Sequence, residues 1–179
     1  MLNITIPKIE LFDERTSEFI TFKEEHLQME HSLVSISKWE AKWNKPFLSS
    51  SEKTVEEILD YIRCMTISKD VSPEVLERLT EQNIMVINDY INAPMTATTF
   101  NDANQKGSRE IVTSEVIYYW MITLNIPFEC QYWHLNRLLT LVKVCNVKNS
   151  PPKKMSKQEI LEQNRRLNAE RRKQMNTRG

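Results

Sequence analysis

A chain of 179 residues is long enough for one domain plus an appendage, and a domain of about 150 residues buries close to 70% of the surface its unfolded chain exposes, so no staple is required. Only two glycines occur, which argues against a loop-rich β protein and against the glycine loops that cradle phosphates. The formal net charge is zero, but residues 153–179 carry nine Lys or Arg against three Glu, a balance of +6 that leaves −6 for the rest.

Leu2–Ile6 and residues 19–22 alternate apolar and polar side chains in a β-branched context and flank a polar stretch, residues 13–17. This predicts a small N-terminal β-hairpin, and Pro7 restricts it to an edge feature resting on a helical body. Residues 23–43 turn to a helical period, with Met29, Leu33, Ile36 and Trp43 near one stripe, until Asn44-Lys45-Pro46 stops the run. Trp39 and Trp43 share a face at i and i+4. They read as core packing or an aromatic lid, with a partner-binding hot spot as the alternative.

Leu48-Ser49-Ser50-Ser51 reads as a linker. Thr54-x-x-Glu57 is a capping-box signature, after which Val55, Ile58, Leu59, Ile62 and Met65 are expected to trace one helical face. Ser72-Pro73-Glu74 starts a short helix to about Leu79. A further helix is expected over residues 81–92, with Ile84, Ile87 and Ile91 inward. Residues 95–108 lack periodicity and read as a surface loop.

Residues 111–149 are the densest apolar run and the stretch around which the rest is expected to be organised. Ten of the fourteen residues 111–124 are apolar, so a helix there should be surrounded by protein. The run is too short and too punctuated by Thr113, Glu115, Thr123 and Asn125 to cross a bilayer. Asn125-Ile126-Pro127 breaks it, and a second helix from about Glu129, inward through Leu135, Leu138, Leu139 and Val142, is expected to cover the first as a helical hairpin. Asn149-Ser150-Pro151-Pro152 then marks a boundary. Ser156-x-x-Glu159 opens a charged helix to about Gln174 whose apolar content is Ile160, Leu161, Leu167 and Met175, too little for it to be well ordered alone.

The expected architecture is therefore mainly α: an irregular multi-helix bundle with a small N-terminal β-hairpin over residues 1–149, and a Pro-linked, extended basic helical tail over residues 150–179.

The residues supply no catalytic signature. HExxH, CxxC and GxSxG are absent from the sequence, and the adjacent carboxylates Glu24-Glu25 and Glu56-Glu57 read as solvated faces or first-turn charges. Neither cofactor nor metal is expected, His134 reads as a satisfied packing residue, and Cys64, Cys130 and Cys145 read as small buried hydrophobes in a reducing compartment. The opening MLNITIPKIE has no basic and apolar regions of a secretory signal, so a cytoplasmic location is expected. In the tail, Arg165-Arg166 and Arg171-Arg172-Lys173 fit either phosphate neutralisation, weakened by the lack of aromatic residues to stack on bases, or a recognition helix that enters a groove on a protein partner. A charged solubilising extension is the third reading.

The segments HSLVSISKWEAKWNKPF, EEILDYIRCMT, REIVTSEVIYYWMITLNIPFECQYWHLNRLLTLVKVCN and LNAERRKQMNTRG resemble the tail assembly chaperones of long-tailed bacteriophages. The resemblance covers most of the chain. It implies a non-enzymatic protein of the host cell cytoplasm that binds the tape-measure protein during tail assembly and aids recruitment of tail-tube subunits. From the residues themselves, the contact is expected at Arg165, Arg166, Leu167, Arg171 and Arg172 in the tail, and secondarily at Trp39 and Trp43 on the body. A structural neck or tail protein of the virion is the first alternative, and a nucleic-acid-binding accessory protein using the basic tail is the second.

Overall fold

A computed structural model of the chain describes residues 1–13, 17–48, 52–69, 71–100, 111–150 and 157–175. The fold is mainly helical with short strands: β1 (Leu2–Ile6), β2 (Ile9–Asp13), β3 (Glu18–Phe22), β4 (Glu25–Met29), α1 (Leu33–Trp43), α2 (Val55–Met65), α3 (Pro73–Glu77), α4 (Glu81–Asn92), α5 (Ser114–Thr123), a 3-10 helix (Phe128–Tyr132), α6 (Leu135–Asn149) and α7 (Lys157–Met175). Two compact units result, Met1–Asn146 and Val147–Gly179. The Ser49-Ser50-Ser51 linker, residues 101–110, Pro151-Pro152 and the Ser156 cap fall outside the described residues.

The N-terminal strands depart from the expected hairpin. β1 pairs antiparallel with β4, Ile4 opposite Leu27, while β2 pairs with β3, Phe12 opposite Phe19. One hairpin is thus nested in the other, and the helix expected from residue 23 begins only at Leu33. Glu25 to Met29 alternate with a period of two, Leu27 and Met29 buried and His26 and Gln28 exposed, which suits a strand with one face on the core. Ser32 then caps α1 by accepting the Ser35 N–H at 3.3 Å. Arg78 Nη2 donates to the carbonyls of Pro7 (2.7 Å) and Lys23 (3.1 Å), fastening both inter-strand turns to the end of α3.

The central helix is α1, which packs against α2, α5 and the 3-10 helix. Leu33, Ile36 and Trp39 are its buried apolar side chains, and Ile6, Met29, Met65, Ile117, Met121 and Leu138 complete the innermost layer. The terminal pair of helices is therefore not the organiser: α5 leans on α1 with Ser114, Ile117 and Met121 and leaves its other side uncovered. It ends in a Schellman turn rather than at the proline alone. The N–H of Ile126 bonds to the Met121 carbonyl (2.8 Å) and that of Asn125 to the Ile122 carbonyl (3.2 Å), with Asn125 left-handed at φ 54°.

On α2 both halves of the expected capping box are present, Glu57 N–H to Thr54 Oγ1 at 3.2 Å and Thr54 N–H to Glu57 Oε2 at 2.8 Å. Its inward face is rotated from the expected one. Glu57, Asp60, Tyr61, Ile62 and Met65 are buried, whereas Val55 is 74% and Ile58 40% exposed.

Candidate partner-binding surfaces

Among the described residues the buried carboxylates Glu40, Glu57 and Asp60 are matched to structural tasks, and Arg78 Nε is the buried side-chain nitrogen that finds no hydrogen-bond partner. Lys45 Nζ meets Glu57 Oε1 at 2.5 Å and Lys42 Nζ meets Asp60 Oδ1 at 2.5 Å, while the Trp43 indole donates to Asp60 Oδ2 at 2.9 Å. The Lys45 bond, joined by the Thr54 N–H, holds the Glu57 carboxyl below the usual carboxylate range. Burial pushes Asp60 the other way, and the bonds from Lys42 and Trp43 outweigh it, so Asp60 also stays ionised. Glu57 is thus a first-turn carboxylate of α2, one of the two expected readings, and it is buried and paired rather than solvated. Glu40 is comparable: Oε1 accepts the Phe47 N–H and Oε2 the Ser114 N–H, both at 2.7 Å, so one side chain of α1 caps the start of α5 in place of Thr113.

A chain of titratable groups runs beneath β4 and α1. The Tyr61 hydroxyl lies 2.5 Å from His31 Nδ1, the His31 and His134 rings meet edge-on at 5.1 Å, and Tyr90 donates to Glu30 Oε1 at 2.6 Å. His134 Nε2 is 2.9 Å from the Tyr90 carbonyl, which can only accept, so Nε2 carries the proton; Nδ1 is left to receive the Asn136 N–H at 3.3 Å and caps α6. Burial, reinforced by His134, lowers His31 to about 4, and burial lowers His134 as well. Both rings are neutral near pH 7. Among the described residues no group of three His, Cys, Asp or Glu side chains is placed to hold a metal ion, and no helix is long and apolar enough to cross a membrane.

The residues singled out for partner contact fall in different environments. Trp39 is 1% exposed, its indole donating to the Glu57 carbonyl at 2.8 Å and its ring stacked with Trp43 at 6.2 Å. Burial leaves it no surface to offer a partner, and Trp43 is half-buried beside it. Arg165, Arg166, Leu167, Arg171 and Arg172 lie on α7, and all are exposed. Ile160 (44% exposed) and Leu167 (43%) share a stripe at i and i+7, with Leu161 (58%) adjacent, and Arg166 reaches Glu170 at 3.7 Å.

Two further apolar surfaces escaped the sequence reading. The β2–β3 ribbon exposes Phe12, Phe19 and Ile20, the two phenyl rings 5.1 Å apart. The outer side of α5 and the 3-10 helix exposes Tyr119, Ile122, Phe128 and Tyr132. A signal for the second was available in the sequence: Tyr118 and Tyr119 are adjacent and Ile122 follows, and a helix leaning on one neighbour cannot turn all of these inward.

In comparisons with known proteins, no family model, no curated protein and no solved structure matches the chain.

Proposed function

We propose that the chain works by binding other polypeptides rather than by catalysis, as a tail assembly chaperone of the long-tailed bacteriophage kind, engaging the tape-measure protein and aiding addition of tail-tube subunits. The observation that carries this reading is α7. It is a 19-residue helix with an Ile160–Leu167 stripe flanked by Arg165, Arg166, Arg171 and Arg172, and each of these side chains is exposed. A basic helix with an uncovered apolar stripe suits a groove or an amphipathic segment of opposite charge on another chain. Trp39 is not part of the proposed contact.

The test is co-expression with the tape-measure protein, scoring its solubility and co-purification with the full chain and with a chain lacking residues 153–179. The full chain is expected to keep the tape-measure protein soluble and to co-purify with it, and the shortened chain to lose both effects; failure of both forms to associate overturns the reading. Mass spectrometry of purified particles separates a chaperone, absent or scarce there, from a structural virion protein. The arginine pairs also fit phosphates, and filter binding across a salt series addresses that reading: no nucleic acid retained at low ionic strength removes it.

A further inference from the structure

The outer side of α5 and the 3-10 helix forms one continuous surface. Ile122 lies at i+4 from Tyr118 and at i+3 from Tyr119, so the three meet on one flank of the helix. Tyr118 joins that flank to the 3-10 helix, its ring 6.4 Å from that of Phe128 and its hydroxyl donating to Gln131 Oε1 at 2.9 Å. Tyr119 is 63%, Ile122 60%, Phe128 52% and Tyr132 64% exposed. With aromatic side chains presenting 150–250 Å² each, the uncovered area is on the order of 500 Å². That is near the upper end for the largest patch on a monomer and roughly two thirds of the ~800 Å² each partner contributes to a stable interface.

The charges near this surface are mainly negative, two carboxylates against the single cation Arg137. Residues 111–136 contain Glu115 and Glu129 and no Lys or Arg. Glu115 is held below the usual carboxylate range by its own backbone N–H and by Thr113, so it stays ionised. The first cation beyond the segment, Arg137, lies over the Trp133 ring at 4.1 Å, and Lys45, which shares a cleft with Glu115, has its ammonium on Glu57 at 2.5 Å. A second copy of the same surface would set glutamates against glutamates, whereas a helix with leucine-like anchors edged by lysine or arginine would satisfy both features at once.

We propose that the face built from Tyr119, Ile122, Phe128 and Tyr132 is a docking surface for a cationic amphipathic helix of a partner polypeptide. It is a site on the Met1–Asn146 unit and stands or falls independently of α7. The probe is a short fluorescein-labelled helical peptide with leucines along one stripe and lysines elsewhere, titrated by anisotropy against the full chain at physiological salt, beside the same peptide with glutamate for lysine. The lysine peptide is expected to bind at least about tenfold more tightly than the glutamate peptide. Tyr119→Ser with Ile122→Ser is expected to weaken it by about tenfold or more, as loss of central anchors does, and Glu115→Lys with Glu129→Lys to narrow or reverse the preference. All four positions are exposed, and melting curves establish that each variant is folded. No binding of the lysine peptide, equal binding of both peptides, or binding untouched by either variant overturns the proposal. So does sedimentation of the chain as a dimer that Tyr119→Ser with Ile122→Ser dissociates, since the face would then belong to a second copy.

Discussion

Burial, reinforced by His134, keeps His31 from taking up a second proton. Tyr61 lies against its Nδ1, His134 stands edge-on to its ring, and its pKa of about 4 compares with 6.5 for an unburied histidine. Between those values the unfolded chain binds a proton that the folded chain refuses, so the stabilisation present above pH 6.5 is lost as pH falls towards 4. The shift corresponds to about 3 kcal/mol, and His134, lowered by the same cause, acts in the same direction. The urea midpoint is therefore expected to fall steadily across this window, and His31→Gln to flatten the acid limb; a midpoint that does not move between pH 7 and 5 would contradict the account. Glu40 offers a second test at this scale. Glu40→Gln replaces one of two oxygens that each accept a backbone N–H, the Ser114 bond buried and the Phe47 bond partly so, with an amide that donates, at an expected cost of about 1–3 kcal/mol in urea unfolding. Most of these pairings were not legible beforehand, because their partners are distant in sequence: Glu40 and Ser114 are 74 residues apart, His134 and Tyr90 44. The Thr54–Glu57 box was legible because it closes within one turn.

Local devices account for most of what could be read at the level of elements. The capping box before α2, the proline at the start of α3 and the bounds of α4 follow from short-range chemistry that tertiary packing left intact. The misreadings came where two periods competed or where a neighbour decided which face turned inward. Leu27 and Met29 fit a helical stripe about as well as a strand, and pairing with β1 settled it. α2 turned Asp60 and Glu57 inward because Lys42 and Lys45 were there to meet them. α5, so apolar that burial on every side was expected, has one principal neighbour in α1. The turn that ends α5 gives a test at this scale. Asn125 is held at φ 54°, where a Cβ without a short polar group costs about 1–2 kcal/mol. Asn125→Ala is therefore expected to lower the thermal midpoint by a few degrees, at about 2–4 °C per kcal/mol for a chain of this size. Asn125→Gly should leave it unchanged or raise it; equal midpoints for the alanine and glycine variants would show that the left-handed turn is not what ends the helix.

At the scale of the whole molecule, the two units have opposite demands on their own residues. The Met1–Asn146 unit holds eight helix or strand side chains with no measurable exposure, Ile6, Met29, Leu33, Ile36, Met65, Ile117, Met121 and Leu138, and amides beneath such a layer open only when the unit unfolds. In α7 every described side chain is exposed, so its stability rests on propensity and on pairs such as Arg166–Glu170, worth a few tenths of a kcal/mol each and weakened by salt. A helix so supported is marginal in water. Hydrogen exchange on the chain alone is therefore expected to be fast across residues 157–175 and slow in α1 and α2, with the α7 amides exchanging faster still as salt is raised. Addition of a polypeptide that α7 binds should slow exchange in those residues first, because docking supplies the burial the helix lacks and adds to its stability by mass action. Slow exchange in α7 before any partner is present would mean that its Ile160–Leu167 stripe is already satisfied, and a satisfied stripe has no free energy left to recruit another chain.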